Sequence, residues 1–307
     1  MNRARFLRIL AAIPLTWRAH AASSAPSPPA APLQTRPIPA SGEALPVIGC
    51  GTYIGFDVAL DAASRPRLAA VLAALREAGG TVIDSSPMYG RAEAGVGTLV
   101  EAAAARRGVF LATKVWTDGR DAGIRQMEAS FARLRTTTID LMQVHNLVDW
   151  RTHLATLRRW QAEGRVRYVG VTHYTSGAYP ELAAVMRAEK LDFVQVNYAL
   201  DEREAEARIL PLAAERGMAV LVNRPLGGGG LLRRLATRPL PAWAADIGAA
   251  SWAEVLLKFV LSHPAVTCAI PGTGDPGHMA TNARAGMGTP VDPAFWRTHA
   301  AELRALP

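Results

Sequence analysis

Residues 81–90 read T-V-I-D-S-S-P-M-Y-G, and they combine a short apolar run with a loop that carries polar residues. The β-branched run T-V-I is typical of a buried parallel strand, and Asp84 follows directly where this run ends. The S-S-P sequence then ends the strand, and the loop that it opens carries Tyr89. The stretch therefore predicts a carboxylate and a phenol at the carboxyl end of one strand.

Two later apolar runs also end in a titratable residue. Residues 109–113 lead into Lys114, and residues 139–144 lead into His145. Because the carboxyl ends of parallel strands meet at the same rim of a barrel, we expect these two side chains to lie beside the carboxylate and the phenol. Polar residues at that rim indicate catalysis rather than stability.

Apolar runs of this kind alternate with segments of helical periodicity along most of the chain. The runs cover residues 47–52, 81–84, 109–115, 139–145, 166–172, 193–197, 219–223 and 266–270. Parallel strands require crossover helices, and eight such units close a sheet, so the alternation predicts an α/β protein, a single-domain (β/α)8 or TIM barrel, over residues 45–307. The alternative is an open doubly wound sheet, but no G-x-G-x-x-G motif follows the first run.

The first 44 residues differ in composition from the rest of the chain. Residues 1–21 contain four arginines and no acidic residue, an apolar stretch too short to span a membrane, and an A-x-A motif at 19–21. They predict a signal peptide and export, with the periplasm as the expected compartment. The alternative is an unprocessed arm on a cytoplasmic protein. Residues 22–44 are rich in Pro and Ala and predict a flexible tether.

The charge and the cysteines restrict the expected partners. The formal net charge is +8, but the basic residues are interleaved with acidic ones, which argues against a nucleic-acid-binding surface. Cys50 and Cys268 fall in the first and last runs. We expect two buried free thiols, with a disulfide as the alternative in an oxidising compartment. No group of residues has metal-ligand spacing, and a monomer is the default expectation.

The motifs and their order resemble the aldo/keto reductase family from residue 45 to residue 288. The resemblance rests on V-I-G-C-G-T at 47–52, I-D-S-S-P-M-Y-G at 83–90, D-L-M-Q-V-H at 140–145, Q-V-N-Y at 195–198 and I-P-G-T at 270–273. Intervals of 5, 25 and 31 residues separate, in order, Asp84, Tyr89, Lys114 and His145. The resemblance implies a (β/α)8 barrel and reduction of an aldehyde or ketone by hydride transfer from a nicotinamide cofactor.

The four residues suit that chemistry. Hydride transfer to a carbonyl places negative charge on its oxygen, so the site needs a proton donor there. Tyr89 supplies a phenol, and a lysine ammonium beside it is expected to lower the phenol pKa from its ordinary value of ~10. Asp84 would hold the Lys114 ammonium charged and oriented, because an unpaired buried cation is unfavourable. The resemblance implies that His145 orients the substrate carbonyl or assists proton transfer.

The resemblance also implies that the cofactor is NADP, with NAD as the alternative. The expected cofactor-binding residues lie at the ends of the later strands and in the segments that follow: Thr172, His173, Gln195, Asn223, Arg224, Pro225, Leu226, Gly228, Gly272, Thr273, His278 and Asn282. Small residues in these segments allow backbone N–H groups to approach a pyrophosphate. The resemblance implies that Gln195 stands at the position that hydrogen-bonds the nicotinamide amide. It also implies that Asn282 stands at the position that contacts adenine.

Several of these positions depart from the family's pattern. His173 stands where asparagine is common. Asn223, or Arg224 in the adjacent register, replaces the aromatic ring beneath the nicotinamide. His278, close to Asp275, stands where many members have a basic residue for the 2′-phosphate of NADP. These departures put the stacking contact and the choice between NADP and NAD in question.

A small-molecule carbonyl substrate would bind at the open mouth of the barrel. The expected lining consists of the side chains of Tyr53, Met88, Trp116 and Trp150. Two other functions stay open at this point. One is a Schiff-base lyase with Lys114 as the amine nucleophile, although a paired Asp84 opposes that role. The other is a nucleotide-binding redox sensor or interaction protein with slow turnover, which the missing aromatic ring permits.

Overall fold

The computed structural model describes residues 32–306, so the predicted signal peptide at 1–21 and residues 22–31 of the predicted tether lie outside the described residues. The strands of the described part are β1 (Thr35–Pro37), β2 (Ala44–Pro46), β3 (Cys50–Gly51), β4 (Val82–Asp84), β5 (Phe110–Val115), β6 (Ile139–His145), β7 (Val166–His173), β8 (Phe193–Asn197), β9 (Ala219–Asn223) and β10 (Cys268–Ala269). Its α-helices are α1 (Ser64–Glu77), α2 (Ala92–Ala102), α3 (Arg120–Leu134), α4 (Trp150–Ala162), α5 (Tyr179–Ala188), α6 (Ile209–Glu215), α7 (Gly230–Leu235), α8 (Trp252–Ser262), α9 (Pro276–Ala285), α10 (Pro293–Thr298) and α11 (Ala300–Arg304).

Strands β3 to β10 form one parallel sheet in chain order, and this sheet closes into a barrel. Ile48, just before β3, pairs with Ala269 of β10, and Gly51 pairs with Gly272. The Gly49 N–H donates to the Ala269 carbonyl oxygen at 2.9 Å. Each return between neighbouring strands contains a helix, as a parallel sheet requires. The prediction of a (β/α)8 barrel is confirmed.

The first and last barrel strands are shorter than predicted. Strands β3 and β10 have 2 residues each, whereas the apolar runs cover 47–52 and 266–270. Around these short strands the two backbones meet through single bridges rather than a continuous ladder. The approach is so close that a Cβ on Gly51 would lie 2.8 Å from the Ile270 carbonyl oxygen, so the seam requires glycine.

The hairpin of β1 and β2 forms the floor of the barrel. The two strands pair antiparallel, and Ile38 and Leu45 are buried among the inward residues that begin the barrel strands. Arg36 donates hydrogen bonds to carbonyl oxygens near the end of α8, including that of His263 at 2.9 Å. The prediction of a flexible tether is therefore wrong for residues 35–44, because apolar side chains anchor this segment to the core.

Alternate residues of each barrel strand face opposite sides of the sheet. The inward side chains fill the barrel, and the outward ones pack beneath the helices in a larger cluster. Cys50 belongs to the outer cluster and Cys268 to the inner one, and both are buried free thiols, as expected. No helix within residues 32–306 has the length and apolar character needed to cross a membrane.

Candidate active site

The titratable residues predicted for the site converge at the carboxyl end of the barrel. Asp84 is the last residue of β4, Lys114 lies in β5, and His145 is the last residue of β6, on three adjacent strands. The Lys114 Nζ donates to Asp84 Oδ2 at 2.8 Å and to the Ser85 carbonyl oxygen at 2.7 Å. It also lies 5.2 Å from the centre of the Tyr89 ring. The ammonium thus joins the carboxylate and the phenol in one cluster.

The loop that carries Tyr89 is held by a turn and a glycine. The Tyr89 N–H donates to the Ser86 carbonyl oxygen at 3.0 Å. Gly90 has φ +55°, and a Cβ there would collide with the Asp57 carboxylate. That carboxylate also accepts a hydrogen bond from the Arg91 N–H at 2.9 Å. Glycine alone accommodates the left-handed backbone and this contact together, so the Y-G pair positions the phenol.

Burial and opposite charge compete at the ion pair. Both side chains are almost fully buried. Burial of the ammonium by itself would lower the pKa of Lys114, but Asp84 and Tyr89 raise that pKa above its ordinary value. Burial raises the pKa of Asp84, against the opposing effects of Lys114 and the Gln195 amide. Lys114 is therefore an ammonium at neutral pH, which opposes a role as a Schiff-base nucleophile.

The net effect on Tyr89 differs from the expectation. Burial raises the pKa of the phenol, Lys114 lowers it, and the charge of Asp84 raises it again. The lysine acts in the predicted direction, but the prediction of a lowered pKa is wrong. The reason is that burial disfavours the phenolate more than the ammonium stabilises it. Tyr89 consequently carries its proton at neutral pH.

His145 completes the cluster as a neutral imidazole. Burial, together with the charge of Lys114 and the nearby His173, lowers its pKa to about 3. Its Nδ1 lies 3.4 Å from the Ser86 hydroxyl, and its ring meets the Tyr89 ring edge-on with centroids 6.4 Å apart. A neutral imidazole has one donor and one acceptor nitrogen, so it can orient a polar group placed beside the phenol.

Two buried amides extend the cluster into the barrel. Gln195 Nε2 donates to Asp84 Oδ2 at 3.3 Å, and Gln143 Nε2 donates to Gln195 Oε1 at 2.8 Å. Gln195 was expected to contact a nicotinamide amide, and its second Nε2 hydrogen leaves room for such a contact. Gln143 was not among the predicted site residues. The signal was its position two residues before His145, which places both side chains on the inner face of the strand.

The residues expected to bind the cofactor lie on the neighbouring part of the same rim. They end strands or follow them: Thr172 and His173 in β7, Asn223 in β9, Arg224, Pro225, Leu226 and Gly228 after β9, and Gly272, Thr273, His278 and Asn282 after β10. Asn223 Oδ1 is a buried acceptor without a hydrogen-bond partner among the described residues, so it fits a donor on a bound molecule. The glycines at 227–229 have positive φ angles, and the N–H groups of Gly227 and Gly229 are bonded within the turn. The Asp201 carboxylate lies beside Gly227, and the Arg224 and Arg233 guanidinium groups lie beside Gly228 and Gly229. The unpaired acceptor and the two guanidinium groups fit a dinucleotide.

Acidic side chains engage two of these positions. The Arg224 Nη2 pairs with Glu202 Oε1 at 2.8 Å. Asp275 caps α9 by accepting the His278 N–H at 2.9 Å. This cap places a carboxylate where a helix N-terminus would otherwise attract a phosphate. The Asp275 carboxylate therefore makes this helix N-terminus less favourable for a 2′-phosphate than the helix dipole alone would.

The large hydrophobic side chains that residues 32–306 expose all lie in loops around the mouth of the barrel. They are Tyr53, Ile54, Met88, Trp116 and Tyr174. The Tyr53 ring lies with its centroid 5.1 Å from that of Tyr89. Trp150 was expected in this group, but it packs against the hydrophobic core, with the Arg151 guanidinium 4.2 Å from its ring centre. Ile54 and Tyr174 were missed because a loop residue has no periodic signal.

A closed barrel with an ion pair, a phenol and an imidazole at the carboxyl ends of its strands has the architecture of a (β/α)8 enzyme. No three His, Cys, Asp or Glu side chains in the described part of the chain are arranged to hold a metal ion. The aldo/keto reductase family model matches residues 47–298. The chain therefore belongs to the aldo/keto reductase family and is an NAD(P)-dependent oxidoreductase.

Individual relatives agree with this family. Methylglyoxal reductase YeaE of Escherichia coli is 34% identical over 260 residues, which cover 82% of this chain and 89% of that protein. The structure of a Klebsiella pneumoniae aldo/keto reductase in complex with NADP and acetate is 29% identical in sequence and has a TM-score of 0.72. The match covers 87% of this chain and 93% of that chain. The glycerol dehydrogenase of Gluconobacter oxydans has a TM-score of 0.74 and is 24% identical, over 89% of this chain and 95% of that chain. At this identity the similarity shows the fold alone.

Proposed function

We propose that the protein reduces the carbonyl group of an aldehyde or ketone to an alcohol, with Tyr89 as the proton donor. The observation that carries the proposal is the position of the buried Lys114 Nζ, 2.8 Å from Asp84 Oδ2 and 5.2 Å from the centre of the Tyr89 ring. Carbonyl reduction needs a proton donor at the developing alkoxide and a positive charge that stabilises the donor after it has lost its proton.

Burial raises the pKa of Tyr89, so the phenol carries its proton at neutral pH, and an alkoxide that forms beside it is a stronger base and can take this proton. When the proton moves to the substrate oxygen, Lys114 stabilises the phenolate. Asp84 keeps the ammonium charged when the phenol is protonated. The neutral His145 donates a hydrogen bond that orients the substrate oxygen toward Tyr89. A bound nicotinamide cofactor supplies the hydride.

For the cofactor we propose NADP, with NAD as the competing candidate. The proposal is supported by two aldo/keto reductases of Klebsiella pneumoniae, one in complex with NADP and one with NADPH. In this chain, Gln195 and Asn223 would contact the nicotinamide end, the glycines after β9 the pyrophosphate, and Asn282 the adenine. The carboxylate of Asp275 is the feature that favours NAD.

The substrate that we propose is a small carbonyl compound with an apolar substituent. One support is the relative from Escherichia coli, which is named a methylglyoxal reductase. The other is the apolar mouth, where Met88 and Trp116 are 41% and 39% exposed. A polar carbonyl group would face the phenol while the substituent contacts these side chains.

Oxidation of NADPH and NADH by the purified protein tests the proposal, with methylglyoxal, an aromatic aldehyde and a quinone as substrates and Tyr89→Phe as the comparison. We expect Tyr89→Phe to bind NADPH with unchanged affinity, measured by quenching of protein fluorescence, and to lose about 100-fold or more in kcat. Unchanged turnover by the variant would remove Tyr89 as the acid. NADPH binding without carbonyl-dependent oxidation by the unmodified protein would favour the redox sensor.

A further inference from the structure

Gln143 is a buried polar residue that the proposed mechanism does not use. It lies in β6 and is 0% exposed. Its Nε2 donates to Gln195 Oε1 at 2.8 Å, whereas its own Oε1 is buried without a hydrogen-bond partner among residues 32–306. An unpaired buried acceptor destabilises a fold. An apolar side chain would therefore suit this position better unless the amide donor has a use.

The donor controls the direction of the next amide. Gln195 faces Gln143 with its oxygen and Asp84 with its nitrogen, at 3.3 Å from the carboxylate. A half-turn of the Gln195 amide would exchange oxygen and nitrogen and place the oxygen against the carboxylate. The N–H of Gln143 opposes that turn, because it would then face another N–H group.

We propose that Gln143 is a positioning residue, which holds the Gln195 amide in the orientation that donates a hydrogen bond to Asp84. Within residues 32–306, Asp84 Oδ2 accepts from Gln195 and Lys114, and Asp84 Oδ1 has no partner. A substitution of Gln143 would therefore affect Lys114 through the hydrogen bonds of Gln195 and Asp84. The inference rests on the proposed function, because it concerns the ionisation of the same site.

Loss of this orientation of the Gln195 amide should raise the pKa of Asp84. Burial is the largest influence on the pKa of Asp84 and raises it, while Lys114 and the Gln195 hydrogen bond lower it. Without the hydrogen bond the pKa rises further, so Asp84 becomes neutral at a higher pH and leaves Lys114 without its counter-charge. The titratable groups around this pair belong to the surrounding elements: Tyr89 after β4, Cys50 of β3, Cys268 of β10 and His145 of β6.

Gln143→Met removes the donor and keeps the length of the side chain. We expect the acidic limb of the kcat profile to move up by about one pH unit, with KM for the carbonyl changed less than about twofold. The thermal midpoint should change little, because the variant removes the unpaired Gln143 Oε1 but leaves Gln195 Oε1 without its donor. Gln161→Met is the matched control. Gln161 lies away from the site and donates to Asp192 Oδ2 at a distance of 2.8 Å, so the pH profile of this variant should match that of the unmodified protein. Gln143→Leu provides the same test if the methionine variant does not fold.

Two further measurements decide whether Gln143 acts through Gln195. In a protein that already carries Gln195→Met, the further change Gln143→Met should shift the acidic limb of the kcat profile by less than about 0.3 pH units. An equal shift with and without Gln195→Met would overturn the inference. NMR titration of aspartate side-chain carboxyl carbons, with Asp84 assigned through Asp84→Asn, measures the carboxyl without turnover. An unshifted Asp84 in folded Gln143→Met would also overturn the inference. Absence of carbonyl reduction by the unmodified protein would overturn only the proposed function.

Discussion

Asp84 presents only one of its two carboxylate oxygens to Lys114. Oδ2 lies 2.8 Å from the Lys114 Nζ, and Oδ1 is buried without a partner among the described residues. Burial of two charges costs several kcal/mol per ion, so a pair with an unpaired oxygen is weak evidence for stability. The arrangement instead suits a site in which a positive charge must stay beside a phenol.

Substitution of Lys114 alone should destabilise the fold. Lys114→Met leaves a buried carboxylate without its counter-charge, and we expect a loss of about 3 kcal/mol in the free energy of unfolding. The double variant with Asp84→Leu should recover most of that loss and still lack reductase activity. Urea unfolding followed by tryptophan fluorescence measures both changes. A double variant as unstable as the single one would contradict this account of the pair.

His145 should make the protein less stable in weak acid. Its folded-state pKa is about 3, whereas an unfolded histidine titrates near ~6.5. The contribution of the neutral imidazole is therefore complete above pH ~6.5 and is lost as the pH falls toward the folded value, because the unfolded chain binds a proton that the folded protein does not.

Between about pH 7 and pH 5, the unmodified protein should lose about 2 kcal/mol more than His145→Asn, measured by urea unfolding at both values. His278→Asn, at an exposed position, is the control and should follow the unmodified protein. Parallel pH dependences for the unmodified protein and His145→Asn would contradict the prediction.

Asp275 should weaken the binding of NADP relative to NAD. Asp275→Ser keeps an acceptor that caps α9 and removes the charge. We expect the NADPH dissociation constant to fall about fivefold and that of NADH to change less than about twofold, measured by fluorescence titration. Asp292→Ser, at the equivalent cap of α10, should change neither. Equal changes for both nucleotides would remove Asp275 from the choice of cofactor.

Trp116 should discriminate between substrates. Its exposed ring lies in the loop after β5 at the barrel mouth. Trp116→Ala should lower kcat/KM about tenfold for an aromatic aldehyde but about twofold or less for methylglyoxal, because only the larger substituent reaches the ring. Trp150→Ala is the matched control and should mainly lower stability, since Trp150 packs against the core. Equal losses with both aldehydes would argue against a specificity role.

Ile38 should stabilise the fold from the end of the barrel opposite the site. It is fully buried in the floor formed by β1 and β2. Ile38→Ala should lower the free energy of unfolding by about 3 kcal/mol without changing kcat. Ile54→Ala, at a position 70% exposed, should change stability by less than about 0.5 kcal/mol. A loss below about 1 kcal/mol for Ile38→Ala would mean that the hairpin contributes little to the barrel core.

Local patterns along the chain are enough to predict the barrel and the convergence of its main site residues. The alternation of apolar runs and helical segments leads to a parallel sheet, because each return needs a helix, and eight units close it. Asp84, Lys114 and His145 stand at or near the ends of adjacent strands. Topology places those ends at one rim, so their proximity follows from their positions along the chain.

The protonation of that cluster, and its contact with the buried amides of Gln143 and Gln195, depend on how the folded chain packs. The pKa of Tyr89 depends on how far burial outweighs the ammonium, and no spacing in the sequence reports the depth of a side chain. The contact of Gln143 with Gln195 depends on the register of β6, β7 and β8. The floor likewise depends on a space inside the closed barrel that Ile38 fills. Burial and side-chain distances arise from packing between segments far apart in the chain, and a local pattern does not contain them.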